Sequence, residues 1–265
     1  MDRMSRISLS WWNGRAVPAE EVRIAPADAG FLHGDGLFET LRVDAGRARN
    51  VSPHLDRLLA GLRRVEIEIP EGRTALEEAV ATVAAAAPQP VARLRITVTR
   101  GAEGTPTRLI TAAPYTPPQD GVAAVLLPDL RIDSRGPLAG LKSLCWQMNR
   151  LALLRAERAG AFEALLLNER GRLAEGARSN LILALPEGVF TPPLEDGCLP
   201  GTVRRRLLET GAVTERSLGL EDLERAHEIL LTNSLAGVLP IGRLDGREIP
   251  VGETARRLRG LAEGG

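Results

Sequence analysis

Apart from arginine and the acidic residues, reactive side chains are scarce in this sequence. Its 265 residues include two cysteines, three histidines and 34 basic residues, of which 33 are arginine and only Lys142 is lysine. Because Cys145 and Cys198 form no CxxC motif, we expect neither a disulfide framework nor a cysteine-ligated metal site. The histidines are scattered along the chain, so a histidine-ligated metal is not expected either.

The sequence also lacks the features of nucleic-acid-binding, membrane-spanning and secreted proteins. Its 34 basic and 34 acidic residues give a formal net charge of zero, whereas a protein that binds nucleic acids or anionic membranes usually has a basic surface. No stretch approaches the roughly 18 consecutive apolar residues of a membrane span. The residues from Met1 to Arg6 lack the apolar region of a signal peptide. We therefore expect a cytoplasmic protein with neither a nucleic-acid nor a membrane partner.

The lone lysine differs from the arginines in what it can do chemically. An arginine stays charged, whereas a lysine can act as a neutral amine when its surroundings lower its pKa. Lys142 follows Ala139-Gly140-Leu141, an apolar setting rather than a run of charges. A desolvated lysine of this kind can form a Schiff base with a carbonyl group. A strong arginine bias could also leave one lysine by chance, so composition alone leaves both interpretations open.

Strand-like and helix-like patterns occupy separate segments of the first 115 residues, which is typical of an α+β layer. The predicted strands are Ile7–Trp12, Leu37–Val43, Ala92–Thr99 and Leu109–Ala112. One predicted helix begins at Ser52-Pro53, where serine suits the N-cap and proline the first helical position. The second predicted helix covers about Thr74–Ala87.

A proline-containing segment is predicted to divide the chain into two domains. Residues 116–121 would form the linker between a smaller α+β domain, 1–115, and a larger domain, 122–265, because proline stiffens such a segment and excludes it from a helix. The strands predicted for the larger domain are Val122–Leu127, Glu163–Leu167, Leu173–Ala174, Asn180–Leu185 and Glu228–Thr232. Its predicted helices are Asn149–Ala159 and Thr202–Glu209.

Six segments together resemble the class IV aminotransferase family, the fold-type-IV pyridoxal-phosphate (PLP) enzymes. They are Phe31–Thr40, His54–Leu58, Leu138–Lys142, Leu173–Leu181, Leu199–Arg204 and Thr232–Ile241. They span nearly the whole chain in the order and spacing of the family. The resemblance implies PLP as cofactor, a small-molecule amino substrate and a homodimer. It also implies an α+β fold with an N-terminal α/β sandwich and a C-terminal pseudo-barrel.

The resemblance also implies roles for individual residues. Lys142 matches the lysine that holds PLP as a Schiff base, Glu175 the acid that pairs with the pyridine nitrogen, and Arg57 the arginine that binds the phosphate. The other implied cofactor contacts are Asn180, Gly201, Thr202, Val203 and Ser234. Guanidinium groups and the N–H groups at a helix start both suit a phosphate. From the residues alone, Glu175 could equally be a solvated turn residue and Arg57 a surface arginine.

Within the family, three features favour 4-amino-4-deoxychorismate lyase, which makes 4-aminobenzoate and pyruvate for folate biosynthesis. Pro137–Lys142, Asn233–Pro240 and Arg100-Gly101 are similar to the corresponding segments of those lyases. The first alternative is a transaminase of D-amino acids or branched-chain amino acids, because transaminases share these features. The second is a catalytically degenerate member that binds a ligand without turnover.

The candidate substrate-binding residues lie on or beside predicted strands and around the lysine. Arg42, Arg100 and Arg108 could each bind a substrate carboxylate, and Phe38 and Trp146 could line the pocket. Trp146 stands where the family often has tyrosine, and an indole can donate a hydrogen bond but cannot accept one. It is therefore predicted to be either a pocket wall or a core residue.

Overall fold

The computed structural model describes residues 9–263, which form two compact units. The first unit contains the chain up to Pro117 together with Leu141–Trp146, and the second contains Pro118–Gly140 and the chain from Gln147 onward. The strand predicted from Ile7 is observed from Leu9, since Ile7 and Ser8 lie outside the described residues. No helix in this part of the chain is long and apolar enough to cross a membrane.

The first unit is an antiparallel six-stranded sheet with helices. Its strands are β1 (Leu9–Trp12), β2 (Arg15–Pro18), β3 (Gly36–Asp44), β4 (Arg47–Ala48), β5 (Val91–Ala102) and β6 (Thr105–Pro114). Its helices are α1 (Ala29–His33), α2 (Val51–Arg64), α3 (Arg73–Ala85) and a 3-10 turn at Ala19–Glu21. The strand order is β2-β1-β6-β5-β3-β4. Alternate residues of β3, β5 and β6 pack against α2 and α3 and form the core of this unit.

The start of one helix and the ends of two strands in the first unit differ from the predictions. Helix α2 begins at Val51 after Asn50, which adopts the left-handed conformation and makes no side-chain cap, so the predicted N-cap Ser52 lies inside the helix. Strands β5 and β6 extend beyond the predicted strands because a two-residue turn joins them. That turn, Glu103-Gly104, has positive φ at both positions, as hairpin turns of this length usually have.

The second unit is a mixed nine-stranded sheet with helices. Its strands are β7 (Val122–Ile132), β8 (Glu163–Asn168), β9 (Leu173–Gly176), β10 (Asn180–Leu185), β11 (Gly188–Thr191), β12 (Thr214–Glu215), β13 (Glu228–Asn233), β14 (Gly237–Leu244) and β15 (Arg247–Glu248). Its helices are α4 (Gln147–Arg158), α5 (Thr202–Glu209), α6 (Leu220–Arg225), α7 (Glu253–Glu263) and a 3-10 turn at Leu194–Asp196. The strand order is β12-β11-β10-β13-β14-β7-β8-β9, with β15 beside β14.

Both faces of the second sheet are covered. Every residue of β8 and of β10 is buried, and between their polar ends these strands are continuous apolar runs rather than alternating ones. One face packs on α5 and α7 through a cluster that includes Leu230 and Leu258, and the other face has a larger apolar cluster. The α+β class predicted from the sequence is therefore confirmed.

The segment around the lone lysine belongs to the first unit. Phe38 N–H donates to the carbonyl of Lys142 at 2.9 Å, and Leu144 N–H donates to the carbonyl of Gly36 at 2.9 Å. These bonds add Leu141–Trp146 to the edge of β3, whereas the predicted limits assign these residues to the domain 122–265. The predicted domain limits stay a prediction.

Candidate active site

The side chain of Lys142 lies against an aromatic ring in the first unit. Its Nζ is 4.7 Å from the centroid of the Phe38 ring. Lys142, Phe38, Glu39 and Arg57 line one small cavity. Three of these four, all except Glu39, are site residues predicted from the sequence, and the structure brings them together.

Glu39 is a charged residue on the core-facing side of β3. The alternation of the strand places it between Leu37 and Leu41 on the face that packs against α2. Its carboxylate accepts hydrogen bonds from Arg57 Nε and Nη2, each at 2.7 Å, and it lies 2.7 Å from His54 Nδ1. Burial raises the pKa of Glu39, but the charge and hydrogen bonds of Arg57 and then those of His54 outweigh it, so the pKa falls to about 2.

His54 is the buried neighbour of this carboxylate. Burial lowers the pKa of its ring; Glu39 raises it, and the positive charges of Arg57 and Lys142 lower it further, so the net direction is downward. A neutral ring donates through Nδ1–H to a carboxylate, which can only accept. The ion pair of the cluster is therefore the one between Arg57 and Glu39.

Arg57, predicted to bind phosphate, is oriented by this pair of parallel hydrogen bonds. The bidentate geometry fixes the plane of the guanidinium group. The sequence analysis did not identify Glu39 and His54 as site residues. The signal for Glu39 was present, because a carboxylate alternating with Leu37 and Leu41 in an amphipathic strand needs a buried partner.

A second arginine, Arg95 on β5, lies over the ring of Phe38, which Lys142 Nζ also contacts. Its Cζ is 3.8 Å from the ring centroid, and its Nε donates to Thr97 Oγ1 at 3.2 Å. Burial and then the charge of Arg93 lower the pKa of Arg95 to about 10. Within the described residues it makes no ion pair with an acidic side chain. This half-buried cation therefore has no anionic partner in its own unit.

The three arginines predicted to bind a substrate carboxylate each contact an acidic side chain of the first unit. The pairs are Arg42 with Asp44 at 3.0 Å, Arg100 with Asp35 at 2.5 Å and Arg108 with Glu71 at 2.6 Å. The two remaining predicted pocket residues lie together, since the ring of Trp146 meets that of Phe38 edge-on with centroids 6.2 Å apart.

In the second unit, Glu175 and Asn180 hold the loop before α5. Leu199 N–H donates to Glu175 Oε2 at 2.8 Å, and Asn180 Nδ2 donates to the carbonyl of Leu199 at 2.7 Å. The Asn180 amide nitrogen is also 3.5 Å from the same carboxylate oxygen. These bonds fix the direction of the Glu175 carboxylate, the group predicted to pair with the pyridine nitrogen.

The start of α5 is built to approach β10 closely. A Cβ atom at Gly201, the N-cap residue, would lie 1.9 Å from Asn180 Oδ1, so only glycine fits there. No side chain caps the helix, which continues through the predicted contacts Thr202 and Val203. On β13, which packs against α5, the buried hydroxyl of Thr232 has no hydrogen-bond partner among residues 9–263. This donor set suits an anion such as the phosphate of PLP.

The chain belongs to the class IV aminotransferase family. The family model for class IV amino-transferases matches residues 36–244, which confirms the resemblance seen in the sequence. Within the described part of the chain, no three His, Cys, Asp or Glu side chains are grouped so that they could hold a metal ion.

Three similar proteins cover nearly the whole chain. A putative branched-chain-amino-acid aminotransferase from Methanocaldococcus jannaschii is 29% identical and matches 93% of this chain and 92% of its own. The structure of 4-amino-4-deoxychorismate lyase from Pseudomonas aeruginosa is 33% identical, with a TM-score of 0.82 over 95% of this chain and 97% of its own. The PLP-bound form of a hypothetical aminotransferase from Mycobacterium tuberculosis is 27% identical, with a TM-score of 0.86 over 96% and 97%.

These comparisons confirm the fold-type-IV architecture and, at the level of the family, the expected cofactor. The family contains both aminotransferases and lyases. Neither the family nor the fold selects one activity for this chain.

Proposed function

We propose that the protein is a PLP-dependent 4-amino-4-deoxychorismate lyase that releases pyruvate and 4-aminobenzoate. The observation that supports this most is the 33% identity with the Pseudomonas aeruginosa lyase over 95% of this chain and 97% of that one. The segments Pro137–Lys142 and Asn233–Pro240, which are similar to the corresponding segments of 4-amino-4-deoxychorismate lyases, also support the proposal.

Lys142 is the proposed catalytic residue. PLP supplies an electron sink that stabilises negative charge on the carbon bearing the substrate amine. Lys142 would hold the cofactor through Nζ and, once released by the substrate amine, would accept the proton from that carbon.

The proposed cofactor contacts in the second unit are Glu175, Asn180, Ser234 and the start of α5. Glu175, held by Leu199 N–H, would keep the pyridine nitrogen protonated. Ser234 and the N–H groups at Gly201–Val203 would donate to the phosphate, as would the hydroxyl of Thr202. The close approach of Gly201 to Asn180 supports this assignment.

We propose Arg95 as the binder of a substrate carboxylate. Its half-buried guanidinium lacks an acidic partner in its own unit and shares the Phe38 ring with Lys142 Nζ. A partly desolvated cation gains most from a new anionic partner. Arg42, Arg100 and Arg108 remain candidates, but each already pairs with a carboxylate. In 4-amino-4-deoxychorismate the carboxylates would be the groups recognised.

The second candidate function is amino-acid transamination. It is favoured by the similarity to the putative branched-chain-amino-acid aminotransferase from Methanocaldococcus jannaschii, which aligns with 93% of this chain. In that case Lys142 would deliver the same proton to the cofactor, and no leaving group would be expelled. The residues around Lys142 could support either reaction, so assays with the two kinds of substrate are needed to distinguish them.

A substrate comparison tests the proposal. The purified protein, loaded with PLP, is given 4-amino-4-deoxychorismate and assayed for pyruvate, and in parallel D-alanine or leucine with a keto acid and assayed for amino-group exchange. We expect pyruvate release. Exchange without pyruvate release would replace the lyase by a transaminase, and no visible absorbance change with PLP would point to a degenerate binding protein.

Two variants connect the activity to the residues. Lys142→Ala should abolish both the borohydride-sensitive visible absorbance and turnover, and Lys142→Arg should not restore them, because a guanidinium cannot serve as the amine.

Arg95→Gln should raise KM for the substrate about tenfold or more while leaving the absorbance of the bound cofactor unchanged. Arg73→Gln is the control, since Arg73 is a partly exposed arginine of the same unit that pairs with Asp56 and is not a candidate for substrate binding. An unchanged KM in Arg95→Gln would exclude Arg95 as the carboxylate binder.

A further inference from the structure

A second fully buried glutamate, Glu163, lies at the start of β8 in the second unit and has no part in the function proposed above. Its Oε1 accepts a hydrogen bond from Ala164 N–H at 3.0 Å, and its Oε2 accepts one from Ser179 Oγ at 2.8 Å. The nearest cation is Arg178, whose Nε is 3.8 Å from Oε2. Burying a carboxylate is unfavourable in free energy unless hydrogen bonds or charges compensate it, so the groups around Glu163 are informative about its role.

The hydrogen bonds continue from Ser179 to the turn after β13. Asn233 Nδ2 donates to Ser179 Oγ at 3.1 Å. The other end of the same side chain, Asn233 Oδ1, accepts from Leu235 N–H at 3.0 Å and from Ala236 N–H at 2.8 Å. Three side chains therefore connect β8 to the turn 233–236, which includes Ser234.

Glu163 also supports the turn between β9 and β10. Gly176 N–H donates to the carbonyl of Ser179 at 2.7 Å and closes this turn. A Cβ atom at Gly176 would lie 3.1 Å from the Glu163 carboxyl carbon, so the glutamate packs directly beneath the turn. Glu175 and Asn180 flank this turn, so the same carboxylate supports two segments that carry proposed cofactor contacts.

Above about pH 7, where Glu163 is ionised, its carboxylate sets the direction of this chain of hydrogen bonds. A carboxylate can only accept, so Ser179 must donate its single hydroxyl proton to Glu163. The Ser179 oxygen is then left to accept from Asn233 Nδ2, which turns Oδ1 toward the two backbone N–H groups. A glutamine at position 163 would disturb one of the two hydrogen bonds in either amide orientation, because its nitrogen would reverse the bond with Ser179 or face Ala164 N–H, which is also a donor.

We propose that Glu163 and Ser179 are positioning residues, which act through Asn233 to hold the turn 233–236 in the shape that lets it bind the cofactor phosphate. This inference rests on the proposed function, since it takes Ser234 as a phosphate contact. Neither Glu163 nor Ser179 is assigned a contact with the cofactor.

The test compares two ligands that differ only in the phosphate. Dissociation constants for PLP and for pyridoxal are measured by spectral titration of the cofactor-free protein and its variants. At about pH 8, Glu163→Gln and Ser179→Ala should each weaken PLP binding about tenfold, which corresponds to about one hydrogen bond. Pyridoxal binding should weaken much less, because the turn that carries Glu175 and Asn180 is closed by its own backbone hydrogen bond. Ser179→Thr, which keeps a hydroxyl, should restore much of the loss. The double variant should lose no more than either single variant, because the two residues act in series.

Glu228→Gln is the matched control. Glu228 is another buried glutamate of the second unit, but it caps α7 by accepting from the backbone N–H groups of Gly252, Thr254 and Ala255. Its loss should lower stability without changing the ratio of the two dissociation constants.

The outcomes separate the two proposals. Equal weakening of PLP and pyridoxal, or no weakening, in Glu163→Gln and Ser179→Ala would overturn the positioning role while the wild type still binds PLP at Lys142. A wild type that gives no borohydride-sensitive absorbance with PLP would overturn the proposed function and, with it, this inference.

Discussion

Each compact unit buries one glutamate completely, and the two carboxylates have opposite surroundings. Glu39 in the first unit and Glu163 in the second are both 0% exposed. Two nitrogens of Arg57 and one of His54 lie within 2.7 Å of Glu39, and its pKa falls to about 2. Burial raises the pKa of Glu163 to about 7, despite Arg178, Ser179 and two backbone N–H groups.

The comparison shows that burial alone does not determine whether a carboxylate is charged. Desolvation acts on both glutamates in the same direction, and the position of the nearest cation decides the sign of the pKa shift. An arginine that donates two hydrogen bonds overcomes desolvation at Glu39, whereas an arginine at 3.8 Å and a hydroxyl do not at Glu163. The first site is thus an ion pair and the second a hydrogen-bond relay.

The largest expected effect comes from removing the charge of Glu39. Glu39→Gln leaves the partly buried Arg57, whose side chain is 14% exposed, without its anion; breaking a buried ion pair in this way typically costs about 3–5 kcal/mol. Urea unfolding of this variant should show a loss of that size. The matched variant Asp56→Asn instead breaks an ion pair with Arg73 whose two side chains are 36% and 55% exposed, and we expect a loss below about 1 kcal/mol there. A change below about 1 kcal/mol in Glu39→Gln would mean that Glu39 and Arg57 are not paired in solution.

The pH dependence of stability should show opposite signs for the two glutamates. The pKa of Glu39 is lowered from 4.5 to about 2, so its contribution is present above pH 4.5 and is lost as the pH falls toward 2. At 1.36 kcal/mol for each unit, that contribution is about 3 kcal/mol. The pKa of Glu163 is raised, so the folded state loses stability as the pH rises from 4.5 to about 7. The free energy of unfolding of the wild type and of each Gln variant is measured from about pH 2 to pH 8. The difference between wild type and variant then shows whether each glutamate gains or loses stability as the pH rises.

The smallest expected effect on stability is that of Glu163→Gln. Above pH 7 the substitution removes a costly buried charge but breaks one hydrogen bond, and these contributions oppose each other. The free energy of unfolding at about pH 8 should therefore change by less than about 1 kcal/mol. A loss as large as that of Glu39→Gln would show that a cation compensates Glu163 as fully as Arg57 compensates Glu39.

Much of the fold could be predicted because local patterns are strong in its longer elements. The alternation at Leu37–Val43 and the apolar stripe of α2 correspond to observed elements. Strand β14 was not predicted, since Pro240 and its glycines are unusual within a strand. Helix α2 begins one residue before Ser52, because left-handed Asn50 rather than the serine side chain starts it.

The sequence by itself determined that Lys142 is the only lysine, that it follows an apolar segment, and that six motifs place the chain in the class IV aminotransferase family. It also determined which face of β3 carries Glu39. Only the tertiary structure decided which side chains pack against that face of β3. Glu39 reaches residues 15 and 18 positions away, and Ser179 reaches Asn233 54 positions away. Periodicity assigns a side chain to a face, but sheet register and packing choose its partner, and the partner sets the charge of a buried group.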